Sequence, residues 1–191
     1  IWRVYGSFDG LRAASITDIT SDDDGILWLA TEGTGVWTFD GETFTNLTIA
    51  DGLADDVVHG VTVAADGSLW FATDGGATRL HEGQWTTLTT ADGLVHDHVR
   101  VICHTRDGAL WFGTRNGISR WHEGAFTPVA DLDSALTGVL VTDIHEGPGA
   151  DLWIASDGAM VWRHDASGLL RQFTRRDGLG HQRVWGLHQD S

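Results

Sequence analysis

The chain has 191 residues, a formal net charge of −15, and 12 basic residues that are all arginine. So acidic a surface repels phosphate backbones, and no nucleic-acid partner is expected. The lone Cys103 excludes a disulfide within the chain without fixing its compartment, and no apolar run reaches the length of a membrane span.

Residues 2–8 stand ahead of the marker Asp9-Gly10-Leu11, which returns at Asp51-Gly52-Leu53, Asp92-Gly93-Leu94 and Asp177-Gly178-Leu179. One copy is degenerate, at Asp133-Ser134-Ala135-Leu136. Five residues past each Leu stands a β-branched residue (Ile16, Val58, Val99, Val141, Val184), and eight past it an aliphatic one (Ile19, Val61, Ile102, Ile144, Leu187). This is a short apolar strand, a. Asp24-Gly25, Asp66-Gly67 and Asp107-Gly108 then suit tight turns, because Gly accepts positive φ and Asp caps its own turn. The fourth copy of this turn, at 147–150, carries an insertion.

Strand b follows, apolar on both faces, and ends each time on one phrase: Leu27-Trp28-Leu29-Ala30-Thr31, Leu69-Trp70-Phe71-Ala72-Thr73, Leu110-Trp111-Phe112-Gly113-Thr114 and Leu152-Trp153-Ile154-Ala155-Ser156. The four tryptophans are 42, 41 and 42 residues apart. After a Gly-rich turn comes strand c, and after a further turn strand d, with Phe44, Trp85, Phe126 and Phe173. Four short antiparallel strands per unit of about 42 residues predict a propeller blade.

The predicted fold is therefore all-β, a β-propeller segment of four complete four-stranded blades at about 12–49, 54–90, 95–130 and 137–175. Strands of a further, incomplete blade flank them: a d strand in 1–8 and an a strand in 180–191. Helices are not expected. Completion is expected from further blades of a longer chain or from another chain, with closure into a small five-bladed ring as a third alternative. The tryptophans read as filler between blades, each indole N–H meeting a backbone carbonyl or a Thr of a neighbouring blade.

In a propeller the d–a and b–c loops open on one face beside the central channel, where ligand sites favour the mouth. The b–c loops place Glu32, Asp74, Arg115 and Asp157 at equivalent positions. The d–a loops add Asp55, Asp56, His96, Asp97, His98 and His181, and the start of strand a adds Thr17, His59, Arg100, Thr142 and Trp185. These differ from blade to blade while the scaffold positions hardly change, as a specific site on a repeated scaffold would. The candidate ligand-binding residues are Glu32, Asp74, Arg115, Asp157, His59, Arg100, His96 and His98. Solvent-facing drift is the plainer alternative.

No catalytic residue and no metal ligand is assigned. His96 and His98 point opposite ways in an extended segment and do not suit one ion. Asp22-Asp23-Asp24-Gly25, with Asp18 before it, has acidic residues of a calcium loop but not the spacing. It reads as a turn. No cofactor is expected, with calcium there as the alternative. Cys103 reads as a small buried hydrophobe. An enzyme would instead bring histidines and carboxylates together at the mouth with perturbed protonation.

The order Asp-Gly-Leu, Val and Ile, Asp-Gly-x-Leu-Trp-x-x-Thr, Gly and an aromatic-rich strand resembles the two-component regulator propeller repeat, most clearly at 52–80 and 93–121. The resemblance implies a non-enzymatic sensor module of a larger bacterial signalling protein, periplasmic or extracellular, binding a small molecule or glycan. A structural propeller that docks a protein partner is the alternative. A lyase resembling virginiamycin B lyase, which shares Gly-x-Leu-Trp-Phe phrases, is the third reading.

Overall fold

A computed structural model describes residues 3–13, 15–158, 160–180 and 183–188. Its strands form four separate four-stranded antiparallel sheets, each in simple sequence order. The first comprises β1 (Ile16–Ser21), β2 (Leu27–Thr31), β3 (Val36–Phe39) and β4 (Phe44–Leu47). The second comprises β5 (Val58–Val63), β6 (Leu69–Thr73), β7 (Gly76–His81) and β8 (Gln84–Leu88). The third comprises β9 (Val99–His104), β10 (Leu110–Thr114), β11 (Gly117–His122) and β12 (Ala125–Thr127). The fourth comprises β13 (Val141–Glu146), β14 (Leu152–Ser156), β15 (Met160–His164) and β16 (Leu170–Phe173). These are four propeller blades.

Each recurring residue has a geometric task. In the d–a connections, Thr48, Thr89 and Thr174 give their N–H and hydroxyl to the carboxylates of Asp51, Asp92 and Asp177, closing a tight turn that the following Gly leaves at positive φ. Gly52 cannot be replaced cheaply, since a Cβ there would meet the Trp85 side chain at 2.4 Å. At the end of each b strand a buried hydroxyl donates across the b–c turn: Thr31 to Gly35 O, Thr73 to Gly76 O, Thr114 to Gly117 O and Ser156 to Met160 O, at 2.6–3.1 Å.

The tryptophans fill the joints between blades. Trp28 packs on Phe71 of the next sheet and Trp70 on Phe112, with ring centroids 5.9 and 5.6 Å apart. Trp111 lies in one apolar cluster with Val141, Ile144 and Ile154 of the fourth sheet. Their polar ends are satisfied differently from expectation. The Trp28 indole N–H donates to Asp22 Oδ2 at 2.8 Å and that of Trp70 to Ser68 Oγ at 3.0 Å, so the partner is the a–b turn of the same blade. That turn is the nearer polar group, and it lets the indole stay dry on its other side. Over Trp70, Trp111 and Trp153 lie the guanidiniums of Arg79, Arg120 and Arg163, each paired with the turn carboxylate of Asp66, Asp107 or Asp151 at 2.6–2.8 Å.

Two further features depart from the sequence expectation. A short helix, α1 (Ala130–Leu136), stands where the third d–a connection should repeat the tight turn. Leu132 and Leu136, one helical turn apart, are both fully buried and hold it against the sheet. The flanking strands expected at 1–8 and 180–191 are not formed among the described residues. Ser7–Asp9 is a 3-10 turn, and Arg183 makes a single bridge to Asp157. A strand persists by pairing its N–H and C=O groups with a neighbour, and these segments have no ladder to join. Residues 1, 2, 182 and 189–191 of these segments, with Ala14 and the loop residue His181, lie outside the described residues.

The two inner strands of each blade make most of the contacts with the next. Blade one presents Ile16, Ile19 and Leu27 at positions equivalent to Val58, Val61 and Leu69, which blade one itself buries. Those three are 43, 55 and 39% exposed.

Candidate functional site

In all four blades strand a carries a β-bulge at the same place, where the pairing with strand b skips one residue: Thr17, His59, Arg100 and Thr142. A bulge re-aims a side chain. In blades one and four the bulged residue is used as a staple. Thr17 Oγ1 donates to Val58 O of the next blade at 2.7 Å, and Thr142 Oγ1 donates to Val184 O at 2.5 Å. In blades two and three the same position instead supplies a histidine and an arginine, and these build the site.

His59 Nε2 lies 2.7 Å from Asp74 Oδ1, the first residue past β6, and His98 Nδ1 of the neighbouring blade lies 2.6 Å from the same oxygen. Arg100 Nη1 is 3.2 Å from His59 Nδ1. A guanidinium can only donate, so His59 Nδ1 accepts and its proton sits on Nε2, given to Asp74. The backbone N–H of His98 donates to His96 Nδ1 at 2.9 Å, which puts the proton of a neutral His96 on Nε2. The His59 and His98 rings are 5.0 Å apart. Burial lowers the pKa of His98. The Asp74 charge opposes that shift, while the charges of His59, Arg115 and His96 add to it. Among the described residues His59, Asp74 and His98 are the His/Cys/Asp/Glu group whose ligand atoms converge, all within 4.8 Å of one another.

Beside this network, at the axis, is a cavity of about 330 Å³ lined by Thr17, Asp18, His59, Arg100, Asp143 and Trp185. Asp18 and Asp143 occupy equivalent positions on strand a of blades one and four. Each takes the N–H of its own successor, Ile19 or Ile144, and an N–H from the next segment round the axis, Val61 or Leu187. Burial raises the pKa of Asp143, the bonds from Leu187 and Ile144 oppose this, and the charge of Asp18 adds to it.

Of the eight residues expected at the site, the structure joins Asp74, His59, His98, Arg100 and His96 by direct contacts, with Arg115 near enough to act on His98. Glu32 and Asp157 stand apart from it. Glu32 joins blades one and two through a backbone bridge to Val57, and Asp157 pairs with Arg183 at 2.8 Å. The axial carboxylate Asp143 was not foreseen, although Asp18, Gly60, Val101 and Asp143 recur at intervals of 42, 41 and 42 and so held the signal. Asp22 serves its turn: Oδ1 accepts from Asp24 N and Ile26 N, and Oδ2 from the Trp28 indole. Cys103 is partly buried, and burial with the charges of Glu146 and Asp143 pushes its thiol up to about 11.

A family model described as "Two component regulator propeller" matches residues 10–33 and 93–116. None of the curated proteins matches the sequence. Among solved structures, the extracellular domain assigned to the hybrid two component system BT3049 of B. thetaiotaomicron superposes with a TM-score of 0.78 at 21% identity, over 94% of this chain and 25% of that one. PorZ of Porphyromonas gingivalis, a surface component of its type-IX secretion system, gives 0.69 at 16% identity over 100% of this chain and 32% of that one. Virginiamycin B lyase of Staphylococcus aureus gives 0.64 at 19% over 84% and 55%. The chain thus spans about a quarter of the length of the two-component domain and about half of the lyase. Residues 10–33 and 93–116, within the first and third repeats, are thus similar to the two-component regulator propeller repeat.

Proposed function

We propose that this chain is a non-enzymatic ligand-recognition module of a larger bacterial sensor protein, exposed to the periplasm or the cell exterior. The observation that carries the reading is the fate of the bulge. Two blades spend it on a hydroxyl staple, while the two between them spend it on His59 and Arg100 and gather Asp74, His96 and His98 around them. The departure at the bulge would thus let a small polar ligand or glycan meet charged and imidazole groups on one side and the axial cavity on the other. The likeness to an extracellular domain of a two-component system supports the setting.

A lyase is the second reading, because histidines and a carboxylate do converge, as acid–base chemistry requires. Against it, Asp74 Oδ1 holds both imidazoles in one closed network. One experiment separates the readings. A library of small polar compounds and short glycans is screened by thermal shift, and each hit is recovered and weighed by mass spectrometry. Recognition predicts intact hits whose stabilisation is lost in Arg100→Ala and His98→Ala. Hits returned chemically altered would replace recognition with catalysis, and hits unaffected by both substitutions would remove the site.

A further inference from the structure

We propose that His59, Asp74 and His98 form a binding site for one divalent transition-metal ion, for which Zn²⁺ is the best-matched probe. The proposal deepens the reading of this mouth as a binding site and rests on it. Two imidazole nitrogens, His59 Nε2 and His98 Nδ1, already aim at one carboxylate oxygen at 2.7 and 2.6 Å. Two imidazoles and a carboxylate are a donor set for zinc, which bonds nitrogen and oxygen at about 2.0–2.2 Å and keeps a fourth position open when only three protein ligands are present. An ion between the three atoms would occupy the place of the two protons that now bridge them. The Asp74 oxygen would retreat by roughly 0.7 Å, because tetrahedral bonds of about 2.0–2.1 Å set ligand atoms about 3.3–3.4 Å apart.

Each ring changes tautomer through solvent, losing a proton from the metal-facing nitrogen and gaining one at the other, so none is released overall. A neutral His59 that binds through Nε2 carries its proton on Nδ1, and a neutral His98 that binds through Nδ1 carries its proton on Nε2. His59 Nδ1–H then confronts Arg100 Nη1, a donor now 3.2 Å away, so Arg100 must turn away as the ion enters. His59 and Asp74 belong to blade two and His98 and Arg100 to blade three, so the ion would clamp the joint between them. The overall charge of −15 draws cations toward the protein at long range, which favours capture despite the local arginines.

The test is titration of the purified, metal-free protein with ZnCl₂ by calorimetry and with CoCl₂ by electronic absorption. The expected result is one ion per chain, with intense ligand-field bands of a tetrahedral cobalt site. His59→Ala and His98→Ala should each weaken zinc binding by about tenfold or more, while His81→Ala at an outer turn leaves it unchanged. Arg100→Ala should tighten binding, because the donor opposing His59 Nδ1–H is gone, a response that surface histidines would not give. Cobalt spectra of the hydrated ion in the unsubstituted protein overturn the proposal whatever the variants do. So does zinc binding that both histidine substitutions leave intact. The sensor reading fails separately: metal without any ligand hit, in zinc-loaded and metal-free protein alike, removes recognition and keeps the ion. Ligand hits without metal do the reverse.

Discussion

Asp107 shows how much one turn residue does. Its partial burial pushes the carboxyl up, but hydrogen bonds from the Thr105 hydroxyl, the Arg120 guanidinium and the Ala109 N–H outweigh that and hold it at about 2, below the ordinary 3.8. A carboxylate depressed in the folded state contributes stability that is fully present above its ordinary pKa and is lost as pH falls through the folded value. Asp107→Asn should therefore be less stable than the unsubstituted protein near neutrality, and urea titrations should show the gap closing between pH 3.8 and about 2. The half-exposed side chain keeps the gap small, since solvent screens the Arg120 pair. Cys103 makes a second residue-scale prediction. With its thiol at about 11, it should react with a thiol reagent at pH 8 far more slowly than free cysteine, and as fast as free cysteine only after unfolding. Gly113 makes a third. A Cβ there would sit 2.6 Å from both Val101 Cγ1 and Val141 Cγ1, so Gly113→Ala should cost about 1–3 kcal/mol by chemical denaturation, even though Ala stands at the equivalent position in the other blades.

At the scale of elements, the strands were legible because the recurring residues do local geometric work. Thr31 and its equivalents close the b–c turn, and Gly52 leaves room for Trp85. Their spacing is therefore the spacing of the structure. Helix α1 was not legible for the converse reason. Residues 130–136 had lost the marker, and its absence looked like a worn copy rather than a different element. The Leu132–Leu136 pair was the available signal, since residues four apart share a helical face. Leu136→Ala should cost about 2–5 kcal/mol in chemical denaturation and should raise amide exchange first in α1 and the adjoining β11. The site was half legible. The repeat gave the positions, so Asp74, His59, Arg100, His96 and His98 were all named. It also gave Glu32 and Asp157 by equivalence, although only blade two has histidine at the bulge to meet its b–c carboxylate. Which positions converge depends on the neighbour, and a single blade's sequence does not contain its neighbour.

At the scale of the whole molecule, the blade-one face as described is apolar and exposed. Ile16, Ile19 and Leu27 stand exposed at positions that Val58, Val61 and Leu69 bury one blade later. Exposed apolar surface of this kind binds apolar dyes and other apolar surfaces. The purified chain should therefore bind an environment-sensitive apolar dye and sediment with a concentration-dependent average mass. Ile19→Arg should reduce both while leaving the thermal unfolding midpoint little changed, because Ile19 is 55% exposed and buries little. A dye signal that ignores Ile19→Arg would place the apolar surface elsewhere.

The staples of strand a have a mechanical meaning as well. Thr17, Asp18, Thr142 and Asp143 all fasten one segment to the next beside the axis, and the inner strands supply most of the remaining contact. The blades are bound like the sticks of a fan, pinned at the rivet and freer at the rim. His59 and His98 meet Asp74 close to the rivet of one joint, so the spacing of these three side chains and the angle between blades two and three are set by the same few atoms.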